Sequence, residues 1–416
     1  MTLLIFLLLA AYYLLKTVRE VLILTEGGAE VKSYSSAGQA VLLLFLVPAY
    51  GAFASRVRPV KLVTVVTLFF ASHLVLFMLA IQGGMRVGIA YFLWVGIFNL
   101  MVIAQFWAFA ADLYSEEQGK RLFPIIGVGG SLGAWLGALR AGALIDNAGP
   151  SRLLLGAFVV LIICASLVPV IHKLAPRHGE RRAKETPVTS GNGFSMIAKD
   201  RYLILIAAMT ILINIVNTTG EYLFGRYTIE QAQLLFPGTG AAVQAAREQF
   251  VGETYSRLYS TVNFLGFFLQ MFVVARVFKW FGIGVALAIH PFVAFFGYLL
   301  MLRAPSLQLL GLVKVADNSL DYSLGNTTRQ VLWLATTREA KYKAKQAIDS
   351  FGVRIGDLAS AGLVFVGEQL VLSVPAFAGI TLALTGAWLG IVRLLASARA
   401  DRVALTASPE TTVESA

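Results

Sequence analysis

The sequence has little charge and almost no cysteine. Only 14% of its 416 residues are Asp, Glu, Lys or Arg, whereas soluble domains carry about 25%. Its single cysteine, Cys164, excludes an intrachain disulfide, and its four histidines are scattered, so no metal-ligand spacing occurs. No glycine-rich phosphate loop or nucleophile elbow is found either. These absences argue against an enzyme and against a metal site, and we expect no cofactor.

Long apolar runs fill the chain instead, because 57% of its residues are hydrophobic. Each run is near the roughly 20 residues that a helix needs to cross a bilayer. The first run has no Lys or Arg before it, so we interpret it as a permanent span and not as a signal peptide. The twelve predicted spans are approximately 3–24, 37–57, 62–82, 87–111, 122–145, 153–172, 202–224, 255–277, 283–302, 306–332, 347–371 and 374–396.

The longest polar connection divides these spans into two sets of six. It is rich in charge, Gly and Ser, which is typical of a linker. We therefore predict an N-terminal six-helix bundle, a cytoplasmic linker, a C-terminal six-helix bundle and a cytoplasmic tail, at 1–173, 174–201, 202–396 and 397–416. A Glu–Lys–Gly spacing occurs at Glu116, Lys120 and Gly133 and again, 223 residues later, at Glu339, Lys343 and Gly356. The predicted fold is an all-α membrane protein in two pseudo-repeated halves, like a major facilitator transporter.

The distribution of Lys and Arg predicts the orientation. Of the 34 basic residues, 21 fall on the even-numbered connections and the C-terminal tail, 7 fall on the opposite side, and the other 6 lie within spans. Cytoplasmic loops carry the excess of positive charge, so we predict cytoplasmic termini. The net charge of +11 is then a signal of topology and not of nucleic-acid binding. We expect a multi-pass protein of a bacterial inner membrane, with the lipid bilayer as its surroundings.

Charges within the spans mark the candidate site, because charge inside a bilayer is costly and usually faces a cavity or a partner. Lys16, Arg19 and Glu20 share one face of the first span. Lys16 and Glu20, four residues apart, can neutralise each other. Arg19 would then be the surplus cation, and we predict that it lines a cavity.

Two later segments add to this set. Lys314, Asp317 and Asp321 share one face of span ten, and for Lys314 and Asp317 a structural ion pair is the favoured interpretation. Glu221 follows the polar segment "NIVNTTG", as a gate residue or as a ligand for substrate or a coupling ion. Lys345 lies near the start of span eleven, close enough to reach the mouth of a cavity. Surplus cations favour an anionic substrate, phosphorylated or carboxylated.

Three stretches resemble segments of the ATP:ADP antiporter family, the nucleotide transporters of plastids and of intracellular bacteria. They are "YYLLKTVREVLIL", "FWAFAADLYSEEQGKRLFPIIGVGGSLGA" and "YSLGNTTRQ…REAKYKAKQAID". The resemblance implies a secondary transporter that exchanges nucleotides by alternating access. Of the family's transport-critical charges, the Lys of helix one corresponds to Arg19, the Glu of helix seven to Glu221 and the Lys of helix eleven to Lys345. The acid of helix four has no counterpart, and Val95 lies near its position.

The predicted site therefore has two groups of residues. Substrate binding is assigned to Lys16, Arg19, Glu221, Arg329 and Lys345. Gating or structural ion pairs are assigned to Glu20, Lys314, Asp317, Asp321 and Arg354. The alternative function is facilitated transport of another anionic solute, coupled to protons through Glu221.

Overall fold

The computed structural model describes residues 1–54, 57, 59–114, 116–145, 149–174 and 193–407, and their regular structure is entirely helical. The helices are α1 Thr2–Ala54, α2 Pro59–Gln82, α3 Gly88–Leu113, α4 Glu116–Ile145, α5 Gly149–Leu174, α6 Gly193–Lys199, α7 Arg201–Leu235, α8 Ala241–Phe272, α9 Val274–Arg303, α10 Leu307–Leu320, α11 Asn326–Leu332, α12 Arg338–Ala347, α13 Val353–Gln369 and α14 Val374–Ala407. Two π-helical turns, Asp321–Gly325 and Ile348–Gly352, join α10 to α11 and α12 to α13.

Nine of the described helical stretches are long and apolar enough to cross a bilayer. This confirms the prediction of an all-helical, multi-pass membrane protein. The nine include α1, which contains the first predicted span and most of the second. They do not include α8 or α10, on which two more predicted spans lie. Helix α10 has only 14 residues and is too short to cross a bilayer by itself, and α8 is rich in polar and charged residues.

Helix α1 folds back on itself at Gly28. This glycine has φ 81° and ψ −179°, a left-handed conformation that favours a residue without a Cβ. Lys32 Nζ lies 2.7 Å from Glu20 Oε2. In an uninterrupted helix, twelve residues would separate the two levels by about 18 Å, so this contact requires the reversal. The structure thus joins the first two predicted spans by helical residues, where the sequence suggested a connection.

Small residues bring other helices close to α1 and α7. A Cβ added to Gly137 of α4 would lie 2.6 Å from Ala10 Cα, and one added to Gly133 would meet the Phe6 carbonyl. In the second half, a Cβ added to Gly356 of α13 would lie 2.5 Å from Asn214 Cβ of α7. Glycine at such positions permits the close approach that membrane helices use for packing.

The predicted linker and tail are only partly described. Residues 175–192 and 408–416 lie outside the described residues, and α6 forms the end of the linker. The last predicted span ends at 396, and α14 continues beyond it to Ala407. The added turns are held because Arg402 pairs with Asp200 and lies 4.6 Å from the Tyr202 ring.

The two halves meet mainly through α1 and α4 of the first half and α7, α8 and α13 of the second. Ser256 Oγ of α8 donates to the Ala138 carbonyl of α4 at 2.6 Å. Tyr13 of α1 donates to Asn263 Oδ1 of α8 at 2.9 Å. These buried contacts surround a set of cavities between the halves.

Candidate substrate-binding site

A cavity of about 190 Å³ lies between the two halves. Helices α1 and α3 of the first half line it together with α7, α8, α10 and α13 of the second. Its charged lining residues are Lys16, Arg19, Lys32, Glu221 and Asp357. The sequence therefore predicted three of the five charged side chains that meet here.

Charges of alternating sign, some buried and some half-buried, form a chain beside this cavity. Glu20 contacts Arg19 at 2.5 Å and Lys32 at 2.7 Å. Lys32 continues to Glu221 at 3.3 Å, and Glu221 contacts Lys314 at 3.4 Å. The step from Lys32 to Glu221 crosses from the first half to the second. An ion pair in low dielectric needs such neighbours, because each isolated charge would lose its hydration without compensation.

The chain ends at a buried acid–histidine pair in the second half. Lys314 Nζ lies 3.3 Å from Asp317 Oδ2, and Asp317 Oδ1 lies 2.8 Å from His290 Nε2. Lys314 is fully buried and also donates to Asn217 Oδ1 at 2.7 Å. The expected pair between Lys314 and Asp317 is thus present, as part of a longer network.

Lys16, and not Arg19, is the surplus cation of the cavity. The ammonium of Lys16 lies 4.0 Å from the centre of the Tyr259 ring and 5.3 Å from that of Tyr13. It forms no ion pair in the part of the chain that the structure describes. The predicted pairing of Lys16 with Glu20 was wrong, because the reversal of α1 brings Lys32 to that carboxylate.

Arg19 still lines the cavity, although it is paired. Its guanidinium donates to Glu20 and lies 4.7 Å from the centre of the Phe92 ring. The ring and the carboxylate hold the guanidinium in place. A planar, fixed donor of this kind can contact an anion in the cavity without large rearrangement.

A second cavity of about 270 Å³ adjoins the first, and Asn217 lines both. Arg329 lies in it and pairs with Asp321 at 2.7 Å. Lys345 is not among its lining residues, but its Nζ donates to the lining residue Gln330 at 2.7 Å. Lys16 and Arg19 thus line the central cavity, whereas Arg329 and Lys345 lie at the adjoining one.

Arg354 pairs with Asp357 at 3.7 Å. Asp357 also accepts a hydrogen bond from Thr218 at 3.2 Å, and both residues line the central cavity. Arg354 therefore belongs to the border of the site through its partner.

Lys32 is the main site residue that the sequence did not reveal. It was assigned to an outer connection, and only the reversal at Gly28 turns it towards Glu20 and Glu221. The Gly27–Gly28 pair just before Lys32 is the local signal that could have found it. Tyr259 was missed too, since nothing local marks a tyrosine as the support for a lysine.

Several ADP,ATP carrier proteins match the chain in sequence. ADP,ATP carrier protein 1 of Chlamydia muridarum is 22% identical over 344 residues, 70% of this chain and 61% of the carrier. The plastidic ATP/ADP-transporter of Solanum tuberosum is 22% identical, over 71% of this chain and 51% of that protein. The chain is related to the ADP,ATP carrier proteins. It spans between one half and two thirds of the length of these carriers, and no family model matches it.

Solved structures that share the fold cover nearly the whole chain. The nucleoside transporter NupG has a TM-score of 0.64 at 12% identity, over 95% of this chain and 97% of its own. The POT family transporter PepTSo has a TM-score of 0.64 at 14% identity, over 96% and 98%. At this identity the likeness concerns the fold, which is of the major facilitator type. Val95, which the resemblance placed near the expected acid of helix four, is fully buried.

Proposed function

We propose that the chain is a secondary transporter that exchanges nucleotides of the ATP/ADP type across a membrane by alternating access. The observation that carries this proposal is Lys16, a half-buried cation without a carboxylate partner among the described residues, in a cavity between two helical halves. An unpaired charge that is largely withdrawn from water is costly, so an anionic ligand that pairs with it gains binding energy. The relation to ADP,ATP carriers supports a nucleotide as that ligand.

In this proposal the substrate phosphates bind at Lys16 and Arg19. Lysine supplies a compact charge, and arginine supplies a planar fork for phosphate oxygens. Glu221 has the wrong sign for phosphate and acts in gating, because its contact with Lys32 joins the two halves. Arg329 and Lys345 attract the anion at the adjoining cavity. Breaking and remaking the Lys32–Glu221 contact would accompany the exchange of access between the two sides.

The orientation and the repeat belong to the same proposal. Twelve spans, an even number, would place both termini on the same side of the membrane. In this proposal that side is the cytoplasm of a bacterium, and the membrane is the inner membrane. The 21-to-7 distribution of basic residues supports this orientation. The repeat is supported by Gly133 and Gly356, which each pack against the first helix of their own half.

A second candidate is proton-coupled uptake of another anion. The buried His290–Asp317 pair favours it, because it lies in contact with Lys314, which in turn contacts Glu221. Proton binding at that pair would change the charge next to the cavity. Uptake that depends on a pH gradient and not on internal nucleotide would favour this candidate.

The test is exchange by purified protein in liposomes. We expect labelled ATP to enter liposomes preloaded with ADP and not empty ones. Lys16→Gln removes a charge-assisted contact that contributes about 1.5 to 3 kcal/mol, so nucleotide affinity should fall roughly 10- to 100-fold, at 1.4 kcal/mol per decade. Lys279→Gln, which changes an exposed lysine away from the cavities, is the matched control and should bind normally.

All variants are compared at equal amounts of folded protein. If no nucleotide competes for transport while another anion does, nucleotide exchange is not the function. If Lys16→Gln and Lys279→Gln bind nucleotide equally well, Lys16 is not the phosphate ligand.

A further inference from the structure

A third cavity, of about 320 Å³, opens beside the central one and differs from it in character. We call it the aromatic cleft. It lies between α1, α3, α4, α8 and the π-helical turn after α10, and its aromatic walls are Tyr12, Tyr13, Trp107, Phe267 and Tyr322. Its volume is within the range of small-molecule sites, about 300 to 1,000 Å³. No charged residue lines it in the part of the chain that the structure describes.

The cleft is continuous with the charged site. Tyr322 lines both the cleft and the central cavity. Tyr13 lines the cleft, and the Lys16 ammonium lies 5.3 Å from the centre of its ring. A ligand with its anionic group at Lys16 can therefore extend an apolar part into the cleft.

One buried polar group in the cleft has no partner. Asn263 is 9% exposed and lines the cleft. Its Oδ1 accepts a hydrogen bond from Tyr13 at 2.9 Å, but its Nδ2 is buried and has no hydrogen-bond partner among the described residues. An unmade bond of this kind is costly, so an acceptor atom on a ligand in the cleft would be stabilised there.

We propose that the aromatic cleft binds a planar nitrogen heterocycle, the base of the nucleotide whose phosphates bind at Lys16. This inference rests on the proposed function and adds the position of the base. Flat aromatic walls provide stacking surfaces, which contribute to binding of any base. The Asn263 amide donates to a ring nitrogen or carbonyl oxygen of the base, and this selects a heterocycle over a lipid chain.

Glycines of α4 keep the cleft open and offer a way to fill it. Gly127 lines the cleft, and a Cβ added to it would meet no atom within 4 Å. Gly127→Leu should therefore occupy the cleft without displacing backbone. Gly390→Leu is the matched control, since Gly390 of α14 is exposed and also has open space around an added Cβ.

The experiment compares the dissociation constants of ADP and pyrophosphate on purified protein by calorimetry. Pyrophosphate has two linked phosphates, as ADP does, but neither ribose nor base, and ribose 5-diphosphate is the second reference ligand because it lacks only the base. Wild type and Gly390→Leu should bind ADP roughly 5- to 150-fold more tightly than pyrophosphate, the range that stacking of one base supplies. Gly127→Leu should bind ADP and pyrophosphate alike, with pyrophosphate affinity unchanged, which also shows that the variant is folded.

Asn263→Leu provides a second measurement. Loss of one neutral hydrogen bond should weaken ADP binding about three- to tenfold and leave pyrophosphate binding unchanged.

Two outcomes would overturn the proposal: an equal preference for ADP in wild type and Gly127→Leu, or no preference for ADP in wild type. Failure of the proposed function differs from both, because wild type would then bind and exchange no nucleotide at all.

Discussion

Removal of Lys32 should unbalance the buried chain of charges. Its side chain is 7% exposed and lies between Glu20, which is fully buried, and Glu221. Lys32→Gln leaves two cations, Arg19 and Lys314, against three carboxylates, those of Glu20, Glu221 and Asp317. Removing one partner of a buried ion pair costs about 3 to 5 kcal/mol. We expect the free energy of unfolding to fall by about that amount.

A second substitution separates lost charge balance from lost packing. Lys32→Gln with Glu221→Gln leaves two cations and two carboxylates in the chain, in the pairs Arg19–Glu20 and Lys314–Asp317. We expect the double variant to recover at least about 2 kcal/mol relative to Lys32→Gln alone, because neighbouring charges are strongly coupled.

The assay is equilibrium unfolding in mixed detergent, followed by the circular dichroism of the helices. Lys343→Gln is the control, because it breaks the pair of Lys343 with the exposed Glu339 and should cost only about 0.5 kcal/mol. The reasoning is refuted if Lys32→Gln is as stable as the control, or if the losses of the two single variants simply add in the double variant.

Three further expectations follow from the same geometry. Glu221→Gln should slow exchange at least tenfold, because it removes the contact between the halves. The affinity for ATP should stay within about threefold of wild type, because Glu221 does not bind phosphate, and a parallel loss of affinity would contradict this. Gly133→Ala should lower the midpoint of thermal unfolding, since its Cβ would meet the Phe6 backbone and overpacking costs about 1 to 3 kcal/mol. Gly127→Ala is the control, because a Cβ there has open space, and it should leave the midpoint unchanged. Equal midpoints for the two variants would argue against close contact between α1 and α4. In a Cys164→Ala background, an impermeant thiol reagent should label a cysteine at the exposed position Arg303 in intact cells, and one at the exposed position Lys279 only after the membrane is opened. Labelling of both in intact cells would overturn the proposed orientation.

The sequence by itself determined that the chain is a multi-pass helical membrane protein, because apolar length and scarcity of charge act locally along each helix. It also located Lys16, Arg19 and Glu221 near one site, since charge within a span is costly wherever the helices pack. The resemblance of three short stretches was enough to indicate the carrier relatives.

Only the tertiary structure decided which charges neutralise which. Spacing along one helix suggested that Lys16 pairs with Glu20, but the reversal at Gly28 brings Lys32 to that carboxylate from twelve residues away. Glu221 and Tyr259 come from helices about 200 residues further along the chain. Pairing energies depend on distances across the fold, which the spacing along one helix does not contain. For that reason Lys16, and not Arg19, is the cavity cation without a carboxylate partner among the described residues.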